Sequence, residues 1–327
     1  MTSREMFSMN RRTALALGGA GLLASGLTSA PAQASVPVVT GNEFSPVTEF
    51  TVGTFKVYAL LDGGFLAQTP QKIFGVDQSA EDFEQASRDH FIPADKFRGF
   101  YTPTLVNTGE QLVLFDTGRG EGAQPGSGNL LKALTAIGVE PQDIDVVVLT
   151  HMHGDHIGGL MRDDEPTFSN ARYVTNAVEF EHWDGLGPDG GRGAQAFAQK
   201  VLPLKDKVTF IEPGGEVAPG ITAMEAYGHT PGHTIFLLES NGQKLMLAAD
   251  TANHYVWSLA YPDWEVIFDM DKKEAAKTRR RVFTMLAEER IPFIGYHMPF
   301  PALGFVEKQG DGFRYVPATY QLQFDEA

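Results

Sequence analysis

The chain has 327 residues, no cysteine, and 41 acidic against 26 basic side chains, for a formal net charge of −15. Thiol catalysis and disulfide bonds are thereby excluded, and so large an acid surplus repels nucleic acid as a partner. Glycine (35) and proline (19) stay below the proportions of a disordered chain, so this is the sequence of a folded body.

The chain opens on Asn10-Arg11-Arg12-Thr13, an apolar stretch from Ala14 to Leu27, and Ala32-Gln33-Ala34. Paired arginines, a glycine-diluted apolar run and an A-x-A site read as a twin-arginine export signal over residues 1–34, cut after Ala34. Such a run falls short of the roughly 20 residues of a membrane span. No stable membrane insertion is therefore expected after cleavage, and the destination is the periplasm or the exterior. The signal holds three arginines and one glutamate, which leaves residues 35–327 as one domain with a charge of −17.

Within that domain, residues 35–50 read as an extended leader, and Phe55 to Leu61 as a strand closed by the turn Asp62-Gly63-Gly64. Ser79 to Phe91 is partly helical with Ser79 as its cap. Leu112 to Phe115 is a strand running into Asp116-Thr117-Gly118, and Asn129 to Ile137 is an amphipathic helix stopped by Gly138. Asp145 to Leu149, β-branched and almost uncharged, is expected to be a strand buried on both faces. Thr175 to Trp183 reads as a helix, followed by the glycine-rich loop Asp184 to Gly193 and a further helix to about Leu202. Strand-like runs Ile221 to Tyr227 and Thr234 to Leu238 flank a Pro-Gly turn, and Lys244 to Ala249 and Pro292 to Tyr296 are two more. Asp271 caps a helix reaching about Glu289, whose basic run Lys277 to Arg281 reads as a solvated face. Strands and helices alternate, which gives the α/β class.

The densest chemistry follows the strand that ends at Leu149, where His151, His153, Asp155 and His156 fall within six residues. Imidazole nitrogen and carboxylate oxygen are borderline ligands that suit Zn²⁺ and, less well, Fe or Mn. His151 and His153 can converge on one ion from a turn at the strand end, while Asp155 and His156 can reach a second. His233, Asp250 and His297 stand in turns or at strand ends of the same kind and are further candidate ligands. Asp155 and Asp250 are the candidates to orient an attacking water and pass on its proton. His90, His182 and His254 have no motif around them and read as core or surface residues.

His-x-His-x-Asp-His, the Gly-His-Thr-Pro-Gly-His turn, an Asp after a strand, a late His and the earlier Asp-Thr-Gly resemble the metallo-β-lactamase superfamily over about Val52 to Pro301. The resemblance implies a four-layer αββα sandwich of two mixed sheets with the site at one edge. It implies one divalent metal ion held by His151, His153 and His233, a second held by Asp155, His156 and His297, and Asp250 bridging the two. His229 and Asp116 are then structural, Asp116 orienting the histidine loop. A small-molecule substrate is expected, and a homodimer is left open. The Leu60-Leu61-Asp62-Gly63 and His297-Met298-Pro299-Phe300 stretches look most like the methyl parathion hydrolase branch, which implies cleavage of phosphotriesters, esters or lactones. An acyl-homoserine lactonase is the alternative; Asn253 stands where such lactonases often carry a tyrosine. A mononuclear iron sulfur dioxygenase is the alternative of another class. Phe65, Trp183, Trp257, Trp264 and Phe300 are candidate walls of an aromatic pocket.

Overall fold

The computed structural model of the chain describes residues 46–187 and 189–319, so the export-signal reading of residues 1–34 lies outside the described residues. Two seven-stranded mixed sheets form its centre. The first runs, in spatial order, Val47–Val52, Phe55–Leu60, Thr104–Asn107, Leu112–Phe115, Val146–Val148, Arg172–Asn176 and Val208–Ile211. Its first four strands pair antiparallel and the rest parallel. The second runs Glu216–Ala218, Ile221–Glu225, Thr234–Ser240, Gln243–Ala249, Phe293–Gly295, Leu303–Gln309 and Gly312–Pro317. Only its central pair, Gln243–Ala249 with Phe293–Gly295, is parallel.

Side-chain alternation decides the layers. Val146 and Val148 lie in the core between the sheets, with Phe115, Ile235, Phe236 and Leu247. Val147 and Leu149 enter a second core shared with the helices Leu130–Ala136, Ala177–Leu186 and Arg192–Lys200. A valine run with no polar position is what burial on both faces requires, each such side chain contributing about 1.5–3 kcal/mol. On the other side the helix Lys272–Glu289 covers the second sheet through Val282, Phe283 and Leu286. The Phe283 and Phe293 ring centroids there are 5.5 Å apart. The order helix, sheet, sheet, helix is the sandwich that the resemblance implies.

Several local expectations change. Val47–Val52 is the edge strand of the first sheet, not part of a leader. Thr175 and Asn176 end a strand, and Asn176 caps the following helix by accepting from the Val178 N–H at 2.8 Å. Asp62-Gly63-Gly64 does not fold the chain back; it leads into Gly63–Gln68, which pairs with Lys96–Tyr101 as a separate ribbon. That ribbon and the helix Ala80–Asp89 enclose a small aromatic core of Phe74, Phe83, Phe97 and Trp257. The basic run is not wholly solvated either. Arg279 is fully buried and donates to Asp269 Oδ2 at 2.7 Å, because it shares the inward helical face of Ala275, Val282 and Leu286.

Candidate metal centre

The histidine loop is hung from one buried acid. Asp116 directly follows the strand Leu112–Phe115 and sits at φ 60°, a left-handed conformation uncommon outside glycine. Its Oδ1 accepts the Thr150 N–H at 2.9 Å, and its Oδ2 accepts both the Thr150 hydroxyl and His156 Nδ1–H at 2.8 Å. Tyr296 closes the loop from the second sheet, with its ring 3.9 Å from that of His156 and its hydroxyl donating to the Asp155 carbonyl.

Outer contacts settle which nitrogen of each imidazole faces inward, since carboxylates and carbonyls can only accept. His151 Nδ1–H donates to Thr150 Oγ1 (3.1 Å), His229 Nδ1–H to Asp269 Oδ1 (3.0 Å) and His297 Nδ1–H to the Phe100 carbonyl (2.8 Å). The Nε2 atoms of His151, His156, His229 and His297 are thus left as lone-pair donors to the interior. His151 Nε2 and His229 Nε2 lie 3.1 Å and 2.9 Å from His153 Nδ1. Among the described residues, no outer contact fixes the His153 tautomer: with the proton on Nδ1 it donates to these neighbours, and with the proton on Nε2 the three nitrogens converge as ligands for a cation.

Asp250 reaches across this space. Its Oδ2 lies 3.4 Å from His229 Nε2 and 3.1 Å from His297 Nε2, and its Oδ1 lies 3.3 Å from His156 Nε2. Asp155 Oδ2 is 3.5 Å from His297 Nε2 and 3.9 Å from His156 Nε2. Ligand atoms within 4.8 Å of one another form three sets: His151–His153–His229, His151–His156–Asp250 and Asp155–His156–His297. His156 Nε2 and Asp250 Oδ1 are buried with no hydrogen-bond partner. Burial without a partner is costly for such groups, so the donor set fits divalent cations.

Charge is distributed accordingly. Burial drives His151 well below the ordinary histidine value and takes His153 down to about 3. Burial also opposes charge on His156 and His297, yet surrounding carboxylates raise both, Asp250 first, His156 well above the ordinary value. A cation in the cluster takes over the positive charge that these protons otherwise supply.

One expected ligand is displaced. His233 Nδ1–H donates to the Ala226 carbonyl at 2.9 Å, and its Nε2 accepts the Asp250 backbone N–H at 3.1 Å. Both nitrogens are spent on the backbone, so His233 supports Asp250 from behind. His229, read from sequence as structural, stands in its place beside His151 and His153. His254 is a core residue, its Nδ1 accepting from the Val256 and Trp257 N–H groups and its ring stacked 4.2 Å from that of Trp257.

Two supports carry no motif. Asp269, the acceptor for His229, is held by Arg279. Glu179, fully buried, accepts from the Met152 N–H, the Trp183 indole, the Thr230 hydroxyl and the Gly232 N–H at 2.7–3.0 Å. It ties the histidine loop to the Pro-Gly turn, and a Cβ on Gly232 would lie 2.2 Å from the Glu179 nitrogen. A single helical Glu between Val178 and Phe180 belongs to no motif and gives no sequence sign of this; only the facing loop reveals it.

Above the cluster opens a cavity of about 500 Å³. Phe65, Phe74, Phe97, Tyr101 and Phe268 line its walls, with Arg119 and Asn253, and His153, Asp155, His229, Asp250 and His297 line it from the cluster. Of the aromatic residues expected from sequence, only Phe65 lines it. Trp257 is in the small aromatic core, Trp264 stacks on Tyr261, Phe300 packs against the large hydrophobic core, and Trp183 is held by Glu179.

An αββα sandwich with His and Asp side chains gathered at one edge under a cavity defines a metal-dependent hydrolase. The model of the metallo-beta-lactamase superfamily matches residues 98–293, and the chain belongs to that family. The N-acyl homoserine lactonase of Bacillus cereus is 24% identical over 212 residues, 59% of this chain and 79% of that protein. A Bacillus sp. N-acyl homoserine lactonase is 25% identical over 155 residues, and the match spans only 57% of its length. Among solved structures, AidC is described as a dizinc quorum-quenching lactonase in complex with a product. It superposes with a TM-score of 0.78 at 27% identity, covering 85% of this chain and 99% of that one. AbOPH, a hydrolase of the beta lactamase superfamily, shares the fold at a TM-score of 0.76 and 23% identity, with 85% and 99% covered. The relatives so named support the lactonase alternative over the methyl parathion hydrolase branch.

Proposed function

We propose that this chain is a dinuclear lactonase, loaded with zinc, that opens the rings of N-acyl homoserine lactones. The observation that carries this is the pair of ligand groups on either side of Asp250, His151–His153–His229 and Asp155–His156–His297, exposed to an aromatic cavity. The lactonase names of the Bacillus relatives and of AidC support the substrate class.

Bound there, divalent ions supply the Lewis acidity that polarises an ester carbonyl and acidifies a water to attack it. Asp250 holds the two groups in register, steadied by the Asn253 amide at 2.9 Å and the His233 ring behind it. Asp155, partly open to the cavity, takes the proton on its carboxylate and is placed to return it to the departing ring oxygen. The aromatic walls exclude water and receive an apolar acyl chain.

Elemental analysis is expected to find two zinc-type ions per chain. Acyl-homoserine lactones are expected to turn over faster than aryl esters or paraoxon-type triesters. A faster triester reaction would restore the phosphotriesterase reading, and one iron per chain with oxygen uptake would make the protein a dioxygenase instead.

A further inference from the structure

Among the described residues, and apart from those of the metal cluster, two residues that line the cavity each carry a buried side-chain atom without a partner, Asn253 Oδ1 and Arg119 Nε. Asn253 is only 6% exposed. Chemistry settles which way its amide points. Asp250 Oδ2 lies 2.9 Å from Nδ2 and can only accept, so the nitrogen faces Asp250 and the carbonyl oxygen is left over. A buried carbonyl without a donor is an exception that calls for a partner, and the cavity that Asn253 lines is where a donor can enter. Arg119 Nε is a donor and Asn253 Oδ1 an acceptor. A secondary amide carries one group of each kind.

We propose that Asn253 is a specificity-determining residue whose Nδ2 steadies Asp250 and whose Oδ1 accepts a hydrogen bond from an N–H on the carbon next to the scissile carbonyl. The proposal rests on the lactonase reading of the same site and narrows it to α-acylamino lactones and esters. With the scissile carbonyl at the cluster, its α-substituent is the next part of the substrate outward, and Asn253 is bonded directly to the bridging acid. Plain lactones and neutral phosphotriesters have no N–H and leave Oδ1 unpaired. Sites built to hydrogen-bond an N–H discriminate strongly against analogues that lack it.

The test compares N-hexanoyl homoserine lactone with its ketone isostere, in which a methylene replaces the N–H, on zinc-loaded wild type and Asn253→Leu. Wild type is expected to favour the amide about tenfold or more in kcat/KM. In Asn253→Leu both substrates slow as Asp250 loses its clamp, and the ratio falls to about one. Calorimetric titration with N-hexanoyl-L-homoserine and its ketone isostere should show the same collapse in binding. Elemental analysis checks that the variant keeps its ions, and Asn253→Ser repeats the comparison should the leucine variant not fold. A preference that persists in the variants, or equal use of both lactones by wild type, overturns the role of Asn253 while leaving the lactonase intact. Turnover of neither lactone overturns the lactonase reading and this inference together.

Discussion

A buried imidazole can offer a lone pair to a metal only when its other nitrogen holds the proton. His229 meets that condition through Asp269, whereas both nitrogens of His233 are committed to backbone groups. The two residues stand four apart in one short turn, so their variants separate ligation from support. His229→Ala is expected to lose one of two ions on dialysis while remaining folded. His233→Ala is expected to keep both ions and lose about 2 kcal/mol, as the Asp250 N–H and Ala226 carbonyl go unpaired. Elemental analysis and urea unfolding read the two effects, and equal ion loss in both variants would contradict the geometry.

At the scale of elements, the site depends on short segments brought to one edge and held there by buried acids. Asp116 fastens the histidine loop to the end of its neighbouring strand, and Glu179 fastens that loop to the Pro-Gly turn from the first turn of the helix Ala177–Leu186. Glu179 accepts four hydrogen bonds, and bonds to a charged acceptor are each worth about 1.5–3 kcal/mol. Glu179→Ala is expected to lower stability by about 3 kcal/mol or more, with weaker ion retention because both ligand-bearing loops come loose. A denaturation midpoint within error of wild type would show that the joint is dispensable. Glu179 touches no ion, so its loss should be felt in folding before chemistry.

For the molecule as a whole, there is no cysteine to form disulfides, and two carboxylates, Asp155 and Asp250, are gathered with five histidines at one cavity. Ions bound only by the folded state stabilise it by mass action, about 4 kcal/mol at a thousandfold excess over Kd. Chelation is therefore expected to lower Tm by roughly 10 °C, and restoring zinc should restore it. A Tm unmoved by chelator, checked by calorimetry, would mean that the cluster does not hold ions in the folded protein.

The ligand types and most of their positions were legible in the chain because they are local. His151 to His156 follow a strand whose apolar run declares burial on both faces, and Asp250 and His297 follow two more. The α/β class came from alternation in the same way. The four-layer order came from resemblance, since periodicity shows that a face is buried but not what covers it. Tertiary structure alone decided between His229 and His233, because the choice rests on Asp269, Arg279 and two backbone groups that the turn meets only when folded. The same holds for Glu179 and for the unpaired carbonyl of Asn253. A side chain's role follows from which of its atoms remain free, and that is a property of neighbours distant in sequence.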